Sequence, residues 1–192
     1  MPELKIEVPT VVFVLFMLVF EDITYTLTLV FCVLTHEAGH MIASRALGVK
    51  IKALRINIFG ARIELSALSS YISEFLIAAA GPAANIVFGG LGMIYIKDPV
   101  EGWPFFSLVN FALAFVNLLP ISTLDGGRMI FCLTSHFFGV RKSEKITRAL
   151  SAAAIVTLWI ISVFLWFELE KNISLLILCS YLFYSLILKR GF

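Results

Sequence analysis

The chain has 192 residues, 60% of them hydrophobic, a mean hydropathy of +0.97 and a formal net charge of only +2. A soluble domain is about half apolar, so this composition excludes an ordinary water-soluble fold and points to a membrane protein. Its cysteines, Cys32, Cys132 and Cys179, lie in or beside apolar stretches with no C-x-x-C pairing, which excludes a disulfide framework.

Six apolar stretches are expected to be transmembrane helices: Val8 to Phe20, Thr24 to Leu47, Ser70 to Ile96, Trp103 to Leu119, Ile146 to Phe167 and Ile173 to Leu188. The first is short for a span. It is not a cleavable signal, because no strong basic stretch precedes it and no small-residue cleavage site follows. On this reading all but Lys97 and Lys171 of the 15 basic residues fall on one side, and Glu21, Asp22, Asp98, Glu101, Glu168 and Glu170 on the other. The positive-inside bias places the basic side, with both termini, in the cytosol. Topology therefore accounts for the basic clusters, and no nucleic-acid partner is expected.

The second stretch carries His36-Glu37-Ala38-Gly39-His40, an H-E-x-x-H motif. Positions i and i+4 lie one turn apart on one helix face, so two imidazoles can hold one Zn²⁺ while the glutamate takes a proton from the water it activates. Ionisable groups at membrane depth are expensive and point to function. Cys32 shares the stripe, but three ligands over two turns of a straight helix cannot reach one ion. It is read as a packing residue.

Between Val49 and Leu65 the pattern changes. Apolar and polar residues alternate through Leu54-Arg55-Ile56-Asn57-Ile58 and again through Ala61 to Leu65, around Gly60. That period of two indicates a small β-hairpin, either a plain connection or an edge on which an extended substrate pairs. In the third stretch, Gly81-Pro82-Ala83-Ala84-Asn85 combines small packing residues, a helix-disturbing proline and one amide. Asn85 either bonds between helices, or orients substrate backbone or stabilises an oxyanion.

Two histidines leave a catalytic zinc short of a third protein ligand. Asp125 supplies it, in Asn117-Leu118-Leu119-Pro120-Ile121-Ser122-Thr123-Leu124-Asp125-Gly126-Gly127. Pro120 ends the fourth stretch, and the two glycines permit positive φ and close backbone approach. His136 falls in an amphipathic segment and is expected at the membrane interface, outside the ligand set.

These three motifs, in this order, resemble the site-2 protease family of intramembrane zinc metalloproteases over essentially the whole chain. The resemblance implies that His36, His40 and Asp125 ligate one Zn²⁺, that Glu37 is the catalytic carboxylate, and that Asn85 and Asn117 lie near a substrate-binding cleft. Length, spans and termini look most like the stage IV sporulation FB branch, which implies cleavage of a membrane-associated pro-sigma factor of the pro-sigma-K type. An anti-sigma factor or a signal-peptide remnant is the alternative substrate. Ser122-Thr123 stand where many members carry a second proline. The expected architecture is an all-α polytopic membrane protein of six transmembrane helices, with a small β-hairpin after the second. It is expected to form one domain over residues 1–192 without CBS or PDZ modules. Expected partners are a membrane-associated protein substrate, with inhibitory membrane proteins and self-association left open. The competing function is a metal-handling transporter, disfavoured because the last two stretches carry no buried charge.

Overall fold

The computed structural model describes residues 3–6, 22–49, 51–57, 60–65, 70–95, 104–168, 180 and 183. Chain contacts divide it into two compact units, residues 1–116 and 117–192. The elements are β1 (Glu3–Ile6), α1 (Ile23–Ala46), β2 (Ile51–Asn57), β3 (Gly60–Leu65), α2 (Tyr71–Tyr95), α3 (Phe105–Leu118), α4 (Asp125–Phe138) and α5 (Val140–Glu168).

In the first unit, α1 starts where the Asp22 carboxylate accepts the Thr24 N–H at 2.7 Å. It ends at Gly48, whose φ of 69° suits the left-handed turn that closes a helix. The Gly48 and Val49 N–H groups return to the carbonyls of Arg45 and Ser44. The face of α1 turned inward is polar: Cys32, His36, His40 and Ser44 recur every four residues and are buried, whereas Ile23, Leu27, Phe31, Leu34 and Ile42 are exposed. In water this would be inside out. In lipid, apolar side chains face the solvent and polar ones need protein partners, so the pattern marks a membrane helix. The same inversion holds in α2, which buries Ala78, Gly81, Asn85, Gly89 and Gly92 on one stripe and exposes Ile72, Leu76, Ile86, Leu91 and Ile94. A Cβ at Gly39 would meet the Ala80 carbonyl oxygen at 2.5 Å and Ala84 Cβ at 2.9 Å, so α1 and α2 pack backbone to backbone there.

The second unit holds α4 and α5, packed together around Ile121 and Ile155, with Leu119, Leu124, Ala154 and Leu158 about them. Gly139, at φ 77°, separates the two helices. The segment before α4 is fastened to α5 by the Ser122 N–H donating to Ser151 Oγ at 2.9 Å.

The expected all-α protein of six spans with one hairpin requires correction. Among the described residues, three helices are long and apolar enough to cross a membrane: Ile23–Ala46, Tyr71–Tyr95 and Val140–Trp166. The fourth expected span is the 14-residue α3, about 21 Å long against a hydrocarbon core of about 30 Å. Its first turn forms on the Pro104 carbonyl and Pro120 follows closely, so prolines trim both ends. The fifth is longer than expected, because α5 begins at Val140 and carries its charges in its first turns. Val8 to Phe20 and Ile173 to Leu188 lie outside the described residues, apart from residues 180 and 183. Nor is the chain all-α. Its strands form a three-stranded sheet in the order β1-β2-β3, with β2 and β3 antiparallel and β1 added parallel to β2, Leu4 opposite Leu54. Four residues of β1 are too few for alternation to reveal.

Candidate metal centre

His36 and His40 project from α1 one turn apart, both about 5% exposed, with ring centroids 4.8 Å apart and nearly perpendicular planes. Their outer nitrogens are committed. His40 Nδ1 lies 2.7 Å from the Ile77 carbonyl oxygen, which can only accept, so Nδ1 carries the hydrogen. His36 Nδ1 lies 2.6 Å from Asn85 Oδ1. The orientation of that amide is fixed because Asn85 Nδ2 donates to the Cys32 carbonyl at 3.1 Å and to Asn110 Oδ1 at 2.8 Å. His36 Nδ1 is therefore also the donor. With Nδ1 the donor in each ring, Nε2 is the atom left to serve as a ligand, and the two Nε2 atoms face each other at 3.2 Å. Two lone pairs at that distance repel unless a cation lies between them. The donor set fits a borderline-soft divalent ion such as zinc.

Space beside the imidazoles is kept open by Gly81. A Cβ there would fall against His40 Nε2 and 2.8 Å from His36 Nε2. Pro82 follows and has no N–H to return to Ala78, so the helix loses one backbone bond beside the Ile77 carbonyl that holds His40. Glu37 is buried on α1, 6% exposed, between the two histidines in sequence.

Asp125 stands in the first turn of α4, half-buried, after an extended Leu124 at φ −107°, ψ 167°. The helix N-terminus favours its negative charge. Of the two uses that Gly126 and Gly127 permit, the structure shows close backbone approach and not positive φ, which among the described glycines only Gly48 and Gly139 have. Gly126 and Gly127 are needed for size. A Cβ at Gly126 would strike the Leu118 carbonyl, and one at Gly127 the Ile121 carbonyl. His36 and His40 in the first unit and Asp125 in the second are the candidate ligands, each offering one atom, a ring nitrogen or a carboxylate oxygen, able to hold a metal ion.

Asn117 is half-buried near the end of α3, and His136 is exposed on α4 with its ring 5.0 Å from that of Phe137. Cys32 Sγ accepts from Asn110 Nδ2 at 3.1 Å, which ties the thiol into the amide network behind His36. Two residues of this surround escape a reading of motifs. Gly81 registers in the sequence as packing chemistry only. Asn110 could have been noticed as an uncharged polar residue in an apolar stretch, spaced with Ser107 and Ala114 on one buried stripe.

The family model described as Peptidase family M50 matches residues 24–98 and 94–161. The chain is similar to a zinc metalloprotease of Methanocaldococcus jannaschii, 28% identical over 158 residues, which cover 73% of this chain and 46% of that protein. It is also similar to stage IV sporulation protein FB of Bacillus subtilis, 28% identical over 167 residues, covering 83% of this chain and 56% of the relative. The chain thus spans about half the length of these curated relatives. Its fold is similar to that of the site-2 protease from Methanocaldococcus jannaschii, with a TM-score of 0.71 over 98% of this chain and 91% of that one, at 22% identity.

Proposed function

The chain belongs to peptidase family M50, and from that membership and the facing imidazoles we propose that it is a zinc-dependent endopeptidase working inside the membrane. The observation that carries the proposal is the pair of Nε2 atoms 3.2 Å apart, each ring held by a hydrogen bond from its Nδ1. His36 and His40 would hold the ion through Nε2 and Asp125 through a carboxylate oxygen. Zinc, when bound, would supply Lewis acidity toward a water molecule and the scissile carbonyl. Glu37 takes the proton from the water on its carboxylate and returns it to the leaving amine. Asn85 acts through His36, and Asn117 is assigned to the substrate backbone.

The substrate is a membrane-associated protein. A hydrogen-bonded helix hides its carbonyls, so the segment to be cut unwinds before attack. Arg45 in the last turn of α1, followed by Lys50 and Lys52, supports a cytosolic position for the end of α1 that carries His40. Similarity to the Bacillus subtilis sporulation protein supports a sporulation setting. There a pro-sigma factor is the proposed substrate, and an anti-sigma factor or signal-peptide remnant the alternative.

Co-expression with membrane-tethered pro-proteins tests this, comparing the intact chain with Glu37→Gln. The variant is expected to keep its zinc and lose cleavage by about 10²- to 10⁴-fold. Undiminished cleavage by the variant, or cleavage that survives removal of zinc, would refute the mechanism.

A further inference from the structure

Behind His36 lies a directed chain of amide hydrogen bonds that starts on a different helix. Asn110, on α3 and fully buried, donates from Nδ2 to the Phe106 carbonyl at 2.9 Å and to Cys32 Sγ at 3.1 Å. The carbonyl can only accept, so the orientation of this amide is fixed and Oδ1 points the other way. Oδ1 accepts from Asn85 Nδ2 at 2.8 Å. Asn85, also fully buried on α2, donates its second hydrogen to the Cys32 carbonyl and turns Oδ1 to His36 Nδ1 at 2.6 Å. Every bond in the chain runs in one sense. Reversing the Asn85 amide would set oxygen against both the Cys32 carbonyl and Asn110 Oδ1.

We infer that Asn110 is a positioning residue for the metal: through Asn85 it holds His36 in the Nδ1–H tautomer, with the Nε2 lone pair turned to the ion. Asn110 touches neither histidine in this chain of bonds. Its contribution is to make one amide orientation at Asn85 decisively better than the other, in an environment without water to compensate. Hydrogen-bond partners of metal-ligating histidines typically account for about 10- to 100-fold in metal affinity. Asn110 stands one step further out, so the lower part of that range is expected.

The inference rests on His36 being a metal ligand, and a double-mutant cycle separates the two claims. Zinc affinity is measured by chelator competition on the purified, detergent-solubilised full chain. The visible spectrum of the Co²⁺-loaded protein is recorded alongside. Asn110→Leu keeps the branched shape and removes the amide; Asn85→Leu removes the acceptor itself. Each single variant is expected to weaken zinc binding and alter the Co²⁺ spectrum, and the double variant to bind no more weakly than Asn85→Leu alone. Wild-type affinity in folded Asn110→Leu, or losses that simply multiply in the double variant, overturns the relay and leaves the metal site standing. A wild-type chain that binds no zinc overturns both. Should the leucine variants fail to fold, ¹⁵N-histidine spectra of the metal-free wild-type protein decide. An Nδ1–H signal for His36 supports the relay, and an Nε2–H signal overturns it.

Discussion

Replacing Gly81 with alanine adds one methyl group at the point where the imidazoles converge. That Cβ would fall against His40 Nε2 and lie 2.8 Å from His36 Nε2. Comfortable contact needs about 3.5 Å, so His36 alone would have to move by about 0.7 Å. Metal–ligand distances tolerate about 0.2 Å. Neither ring can swing aside without breaking its Nδ1 bond to Asn85 or to the Ile77 carbonyl. The methyl therefore displaces the ion or a ligand, and the loss in zinc affinity should exceed the roughly 10- to 100-fold seen on altering outer hydrogen-bond partners. The fold should suffer less. Alanine is favoured over glycine in a helix by about 0.5–1 kcal/mol and overpacking costs about 1–3 kcal/mol, so net destabilisation stays at or below about 2.5 kcal/mol. Gly90, on the same helix, is the control: a Cβ there meets nothing within 4 Å. The assay is metal content by mass spectrometry after dialysis against a weak chelator, with thermal unfolding in detergent measured in parallel. If Gly81→Ala retains stoichiometric zinc while Gly90→Ala does too, the geometry inferred for the centre is wrong.

Gly126→Ala places a Cβ on the Leu118 carbonyl and 2.5 Å from the Leu119 oxygen, both backbone. It should lower stability by about 1–3 kcal/mol, read as a reduced midpoint of thermal unfolding. It should also reduce zinc retention, because the neighbouring Asp125 must shift with the turn. At the start of α1, the backbone and hydroxyl hydrogen bonds from Thr24 hold the Asp22 carboxyl below its ordinary value. A depressed carboxyl stabilises above the ordinary carboxylate range and loses that contribution as pH falls through its own lowered value. Amide exchange in the first turn of α1 should therefore speed up only in strongly acidic solution, and Asp22→Asn should abolish that dependence while keeping the cap.

What the sequence discloses about the site depends on how locally the geometry is written. His36, Glu37 and His40 are legible because helical periodicity alone puts i and i+4 on one face. Asp125 lies far along the chain, and only the chemistry of an incomplete ligand set picks it out. Gly81 and Asn110 are not legible in the same way. Their importance depends on which faces of α1, α2 and α3 meet, a tertiary fact that no window along the chain contains. The miscounted spans have a related cause. Hydropathy marks where lipid can be tolerated, whereas helix ends here follow from particular groups: Pro104 and Pro120 around α3, and Gly139 before the charged turns of α5.

The inverted polarity of the helices joins these observations. A stripe of Cys32, His36, His40 and Ser44 on α1 would ordinarily be read as the wet face of a surface helix. In this chain it is buried, while Phe31, Leu34 and Ile42 are exposed. With no water at hand, each buried polar group needs a protein partner, and the amides of Asn85 and Asn110 supply them for the groups around His36. The membrane setting thus does more than house the centre. It removes competing hydrogen-bond partners, the condition on which the proposed hold of Asn110 and Asn85 on the His36 tautomer depends. The proposed hydrolysis needs water at the ion, so on that proposal the metal-facing side of the imidazoles is expected to be the wetter one.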